Sequence, residues 1–341
     1  MVFAIVIVGI SALTTKLVLR HLTIYDVPNE RSSHTQITPK GGGIAIVVAF
    51  LAGILLIHLL GDKTTIYAPY FLGFFAGSFV IAVFSFYDDL RPVSFKIRLG
   101  GHVLAILVAM WAGIVIDVTY LPFFGEVRWG WGAYPLTLLW ILGLTNAYNF
   151  MDGLDGLATS AAVVAAFFLA IISYQQGSHF IYLASLVLAA ASLGFLVFNW
   201  SPAKIFMGDI GSTFLGFAFA TMAIIAARYD HSHTSLFVVP LLFFHFIFDT
   251  LFTFFRRLLA GEHVFMAHRS HLYQLLNRLG YSHQEVVILY SVMAISQGLV
   301  AVWMTNNLGP DRIIIYLPFL VCYLVYAAWV LHKARKQGLV V

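Results

Sequence analysis

The side chains equipped for chemistry in this chain are acids set beside glycines. Tyr87-Asp88-Asp89-Leu90-Arg91-Pro92 places two carboxylates side by side. Helical neighbours point about 100° apart, so the two acids are expected to hold different partners. Asn146-Ala147-Tyr148-Asn149-Phe150-Met151-Asp152-Gly153-Leu154-Asp155-Gly156 repeats a polar residue at every third position, a spacing that drifts slowly around one helical face. Phe206-Met207-Gly208-Asp209-Ile210-Gly211-Ser212 sets one carboxylate between two glycines. Ser212 is placed to cap a following helix, whose first amides suit an anion. Pro39-Lys40-Gly41-Gly42-Gly43 offers backbone amides to a phosphate or a planar base, with Lys40 as counter-charge, although its order is not that of a P-loop. The stretch from Arg256 to Glu285 carries His263, His268, Arg269, His271, Arg278 and His283, groups that hold phosphate or exchange protons. With no cysteine nearby and no His-Glu-x-x-His, it does not read as a zinc site.

Each segment alone has a plainer reading: a solvated helix end, an Asn/Asp/Gly turn, a helix cap, a basic segment lying on lipid. Together, Asp88, Asp89, Asp152, Asp155 and Asp209 exceed what turns and caps require. Gathered carboxylates repel one another unless a divalent cation sits among them. Hard oxygen donors beside phosphates suit Mg²⁺, with Mn²⁺ as the alternative.

The elements that must position these residues are membrane spans. Of 341 residues, 61% are hydrophobic and 10% charged, against roughly 25% charged in soluble domains. The expected fold is all-α, a single polytopic domain over 1–341. Its eleven spans are read at about 2–20, 42–60, 68–87, 99–116, 134–149, 157–174, 179–199, 212–228, 234–255, 286–304 and 312–332. The apolar start has no basic residue before it and reads as a retained first span. The lone Cys322 leaves no intrachain disulfide. With the N-terminus outside, fifteen of the nineteen Lys and Arg fall on the inner side, which also places the C-terminus inside. The net charge of +4 is therefore a membrane asymmetry and not a nucleic-acid signal. All the chemical segments fall on that inner face, in loops 21–41, 88–98, 146–157, 200–212 and 256–285.

A secondary transporter or lipid flippase would hold its ionisable groups near the bilayer midplane, whereas these acids lie at the inner rim. Asp249, with His245 four residues earlier on the same face, is the exception. It reads either as the lower wall of the site or as a helix–helix pair.

In order and on one face, these motifs, with Asp-Val-Pro-Asn-Glu-Arg-Ser-Ser-His at 26–34, resemble the polyprenyl-phosphate N-acetylhexosamine-1-phosphate transferases, the MraY/WecA family. The resemblance implies ten or eleven helices and an active site open to the cytoplasm of a bacterial inner membrane. It implies transfer of an amino-sugar-1-phosphate from a UDP-linked N-acetyl sugar to undecaprenyl phosphate, with release of UMP. The product would begin O-antigen or another envelope glycan, and a homodimer is compatible with it. By position, Asp209 resembles the Mg²⁺ ligand, and Asp88 or Asp89 the acid that orients or deprotonates the lipid phosphate. Asn146, Asn149, Asp152 and Asp155 resemble the nucleotide-side motif, and Lys40 with Gly42 the loop near the uracil. His268, Arg269 and His271 resemble the phosphate-binding histidine loop. That loop departs from the WecA pattern. His268 stands where Asp is usual, and Tyr273-Gln274 replaces paired histidines. The pattern is similar to the WbpL-like branch, which implies a 6-deoxy-N-acetylhexosamine donor, the alternative being GlcNAc. One-step transfer and a covalent aspartyl-phosphate route both remain open.

Overall fold

The computed structural model describes residues 2–28, 36–61, 66–121, 124–229, 235–264, 268–308 and 310–339. Positions 29–34 of the first motif lie outside them. Apolar runs become helices because a helix satisfies its backbone within itself, as lipid requires. The helices are α1 (Val2–His21), α2 (Ile44–Leu60), α3 (Ala68–Leu90), α4 (Phe95–Trp111), α5 (Ala133–Phe150), α6 (Leu157–Gln175), α7 (His179–Asn199) and α8 (Asp209–Tyr229). After them come α9 (Ser235–Leu242), α10 (Phe244–Leu259), α11 (Leu272–Arg278), α12 (His283–Asn307) and α13 (Tyr316–Lys336).

Among the described residues, seven helices are long and apolar enough to cross a bilayer, or eight if α9 and α10 form one broken span. This supports an all-α membrane protein with fewer clear spans than the eleven expected. The shortfall has a reason. α2 is apolar but only 17 residues long, while α4 carries Lys96 and Arg98 and α5 ends in Asn146 and Asn149. The helices that serve the site give up apolar length to do so.

Two expectations need correction. The span read continuously over 234–255 bends by 70° between Leu242 and Phe244, just beyond Pro240, whose ring removes an amide donor from the helical ladder. The all-α reading also omits two antiparallel ribbons. One pairs β1 (Tyr25–Asp26) with β2 (Thr38–Pro39), and the other pairs β3 (Val118–Leu121) with β4 (Gly125–Arg128).

α8 is the central helix, buried along nearly its whole length. Small residues let it sit close to its neighbours. A Cβ on Gly216 would come 2.7 Å from Thr145 Cα of α5, and one on Gly43, just before α2, would come 2.4 Å from Gly211 Cα. The start of α8 is thereby pressed against the start of α2 and the end of α5.

Candidate active site

The entry to α8 gathers the site. Gly208 adopts φ 77°, and a Cβ there would lie 2.6 Å from Asp89 Oδ2, so only glycine brings this turn onto the carboxylate. Asp89 then accepts the first two amides of α8, from Asp209 at 3.0 Å and from Ile210 at 2.9 Å. Its Oδ1 also lies 3.1 Å from Lys40 Nζ. A carboxylate at a helix N-terminus is favoured by the dipole and by charge-assisted bonds. Asp89 is thus fully engaged in holding α8 and Lys40.

Asp88 holds different partners, as the helical geometry predicted. Its Oδ1 accepts Val93 N at 2.9 Å. Its Oδ2 lies 2.6 Å from Arg98 Nε, yet both atoms are buried without a well-aligned hydrogen bond. Arg98 Nη2 lies 3.5 Å from Asp209 Oδ2, so one guanidinium stands between two acids. Asp209 Oδ1 accepts Asn149 Nδ2 at 2.8 Å, and the same amide also donates to Ser212 Oγ. The Asn149 motif of α5, the Asp88-Asp89 end of α3 and the Asp209 turn therefore form one cluster.

Lys40 reaches that cluster through backbone pairing. Phe206 N donates to Pro39 O, Gly42 N to Phe206 O and Gly43 N to Met207 O. The Gly42 and Gly43 amides are thus spent on α8's entry. Burial opposes the charge on Lys40, but Asp89, Asp209 and Asp26 together outweigh it and raise the lysine's pKa.

Asp152 is half-buried beside the cluster. Burial, followed by the charges of Asp209, Asp89 and Asp155, pushes its carboxyl up to about 8. Asp155 behaves oppositely. Burial alone would raise it, but His283 and the Ala203 amide hold it below its usual value. Its Oδ2 accepts Ala203 N at 3.1 Å, and His283 Nδ1 lies 3.3 Å from Oδ1. Asp155 thus ties the loop after α7 to the start of α12. Asn146 is not drawn into the cluster and donates back to Leu142 O of its own helix.

The histidine loop closes the far side. His271 stacks on Phe150, with ring centroids 6.0 Å apart, and on His268 at 4.9 Å. Burial, then His271 and the Arg257 and Arg256 charges, lower His268 to about 4, so it is neutral near pH 7. Arg269 is half-buried in the same loop. Tyr273 and Gln274 turn inward. Tyr273 is fully buried and donates to Phe150 O at 2.9 Å, and Gln274 Oε1 accepts His271 N at 3.3 Å.

Sequence reasoning passed over Arg98 as one inner-face cation among many. The available signal was Pro92, which folds α4 back along α3 and brings position 98 beside Asp88. It also left open the part played by His245, Asp249, Thr253 and Arg257, a buried polar stripe at four-residue spacing along α10.

The donor set fits a divalent cation of the Mg²⁺ type. It consists of the Asp88 and Asp209 carboxylates, each also faced by Arg98, at 2.6 Å from Asp88 Oδ2 and 3.5 Å from Asp209 Oδ2. Among the described residues, no group of three or more His, Cys, Asp or Glu is arranged to hold a metal ion by itself. Mg²⁺ takes one or two carboxylates and completes its shell with water and substrate phosphate.

Acids clustered at the mouth of a helical membrane bundle, with Lys40 and Arg98 among them, define a class of membrane enzyme that handles phosphates. Residues 71–227, from within α3 to near the end of α8, match the model of glycosyl transferase family 4. The chain is 33% identical over 289 residues to a probable undecaprenyl-phosphate N-acetylglucosaminyl 1-phosphate transferase of Bacillus subtilis, covering 82% of this chain and 79% of that protein. It is 31% identical to a decaprenyl-phosphate N-acetylglucosaminephosphotransferase of Mycobacterium leprae, over 77% and 72% of the two chains. A phospho-N-acetylmuramoyl-pentapeptide-transferase of Lactobacillus gasseri is 30% identical, over 76% and 82%. This chain belongs to glycosyl transferase family 4 and is a phosphotransferase of that family.

Proposed function

We propose that the chain transfers an N-acetylated amino-sugar-1-phosphate from a UDP-sugar to a polyprenyl phosphate, releasing UMP. The acceptor is undecaprenyl phosphate in a bacterial inner membrane, the active site faces the cytoplasm, and the product starts a cell-envelope glycan such as an O-antigen. The observation that carries this reading is the placement of Asp209 at the first residue of α8, held by Asn149 and beside Asp88, Asp89, Lys40 and Arg98. The acids lie at helix ends, where a lipid phosphate and a water-soluble nucleotide can meet. A transporter would hold them mid-span.

In this reaction an oxygen of the lipid phosphate attacks the phosphorus bearing the sugar. The bond from that phosphorus to the UMP oxygen breaks, and UMP leaves with the bonding electrons. Such transfers depend on positioning and on charge stabilisation. Asp209 and Asp88 would hold the divalent cation, which when bound offsets the charge of the diphosphate. Arg98 and Lys40 add fixed positive charge beside them, and Asp89 keeps α8 and Lys40 in register. Asp88 orients the acceptor, whose phosphate is already largely ionised at neutral pH. Asn149 and Asp152 line the nucleotide side, and His271, Arg269 and His268 the phosphate side.

For the donor, the names of the relatives favour UDP-GlcNAc. A 6-deoxy donor rests on His268 and Tyr273-Gln274 standing where WecA-like chains carry Asp and paired histidines. The test supplies purified protein, undecaprenyl phosphate and Mg²⁺ with a panel of UDP-N-acetylhexosamines, follows UMP and weighs the lipid product. Metal-dependent UMP release with a lipid-diphosphate-sugar product is expected. No turnover with any donor refutes the reading. A higher kcat/KM for a 6-deoxy sugar than for UDP-GlcNAc assigns the WbpL-like specificity, and the reverse removes it.

A further inference from the structure

Among the described residues, Asp249 is the most heavily engaged acid, although it lies outside the cluster at α8. It sits in α10 beyond the 70° bend and is 1% exposed. Its Oδ1 accepts Leu272 N at 2.9 Å and Thr253 Oγ1 at 3.2 Å, and its Oδ2 accepts Tyr273 N at 3.1 Å and Tyr290 Oη at 2.9 Å. His271 Nδ1 lies 3.1 Å from Oδ1. An amide can only donate, so Oδ1 is already an acceptor. A bare Nδ1 lone pair against it would be repulsive, and Nδ1 therefore carries the proton in this pair. Nε2 is left as the ring atom for a ligand. The ring's position is set independently by its stack on Phe150, the residue after Asn149, and by Tyr273, which bonds the Phe150 carbonyl.

We propose that Asp249 is a positioning residue for the transfer: it takes the Nδ1 proton of His271, fixes the ring, and thereby directs Nε2 to a phosphate oxygen of the substrate. This rests on the transferase reading above and deepens it. With Nδ1–H given to Asp249, Nε2 is a lone pair that accepts from a phosphate oxygen still carrying its proton. As that oxygen attacks, the proton passes to Nε2 and the buried carboxylate stabilises the imidazolium so formed, in the way that carboxylates behind metal-bound or catalytic histidines fix their tautomer. Among the described residues, the other ionisable groups around the pair include His245 and Arg256 of α10, Tyr273 of α11, Tyr290 of α12, Tyr326 of α13, and His268 and Arg269 of the loop, with Asp152 beyond Tyr273.

The test measures kcat and KM for wild type, Asp249→Asn, His271→Ala and the double variant, after thermal unfolding in detergent has established which of them fold. Asp249→Asn should lower kcat by about 10- to 100-fold, the range for carboxylates behind functional histidines, with KM for the UDP-sugar within about twofold. In the double variant, the Asp249 change should add less than about twofold to the His271→Ala loss, because the two act as one unit. Asp249→Asn retaining more than half of wild-type kcat, or losses that multiply in the double variant, overturns the proposal. Nitrogen NMR of wild-type protein labelled with ¹⁵N-histidine reads the pair without catalysis or an Asp249 variant, with His271 assigned by its absence in His271→Ala. A His271 proton on Nδ1 is expected, and a ring protonated at Nε2 alone overturns the proposal. A wild type that folds but releases no UMP refutes the transferase reading instead, and the NMR result still decides the pair.

Discussion

Asp209 is held on one oxygen by Asn149 and approached on the other by Arg98, which leaves it oriented and still partly open. Donor diphosphate and lipid phosphate bring several negative charges to the edge of a low-dielectric layer, where their repulsion is poorly screened. Asp209→Asn keeps the size and one acceptor but loses the charge proposed to hold the cation. Its kcat for UMP release at saturating Mg²⁺ should fall by about 10³ or more, the scale of losing a principal electrostatic stabiliser. Glu126→Gln, at an exposed ribbon position, should leave kcat unchanged. Retention of more than about a tenth of turnover in Asp209→Asn, far above that scale, would move the metal assignment elsewhere. Asp152 gives a second measurement. Its folded pKa of about 8 lies above the ordinary carboxylate value. It therefore stabilises the folded chain fully below about pH 4, a contribution lost as pH rises through its folded value. In EDTA, Asp152→Asn should raise the melting temperature relative to wild type, by more at pH 8.5 than at pH 5; a gap that is constant or shrinks with pH contradicts that environment. At this scale the sequence revealed the acids and their separate partners, because 100° between helical neighbours follows from the backbone alone. It hid Arg98, Tyr273 and Gln274, because the direction of a long side chain depends on which helix lies beside it.

The entry of α8 is where the elements meet. The start of α2 and the 206–211 segment touch backbone to backbone, with room for no side chain at Gly43 or Gly211. Gly43→Ala must separate them, and overpacking of this kind costs about 1–3 kcal/mol. The same shift would pull Gly43 N from Met207 O and loosen the turn that carries Asp209. Gly43→Ala should therefore lose thermal stability and UMP release together. Gly100→Ala, where a Cβ meets nothing within 4 Å, should lose neither, and a stable but inactive Gly43→Ala would argue for direct substrate contact by this loop. Most helices were legible from their apolar runs, which need only length and composition. The bend between α9 and α10 was not, because Pro240 marks a weak point without saying which way the chain will turn. Beyond the bend, Asp249 accepts the first amides of α11 and ties the two helices together.

For the molecule as a whole, the fifteen-to-four division of basic residues predicts that the acid cluster faces the cytoplasm. With Cys322 replaced by serine, Lys204→Cys in intact cells should react only with membrane-permeant thiol reagents, and Glu126→Cys with impermeant ones as well. Reaction of both with an impermeant reagent refutes the orientation. The location of the acids also bears on how the chain is made. The amides that Asp89 accepts lie 120 and 121 residues later, and the amide that holds Asp209 lies 60 residues earlier. Asp88 and Asp89 therefore leave the ribosome and enter the bilayer long before α8 exists to receive them. At the last turn of α3 they can remain hydrated while they wait. The same carboxylates at mid-span would have to cross into lipid unpaired, at a cost of a few kcal/mol each on insertion scales. A catalytic centre at the rim is thus one that a membrane protein can assemble late, from helices inserted one after another.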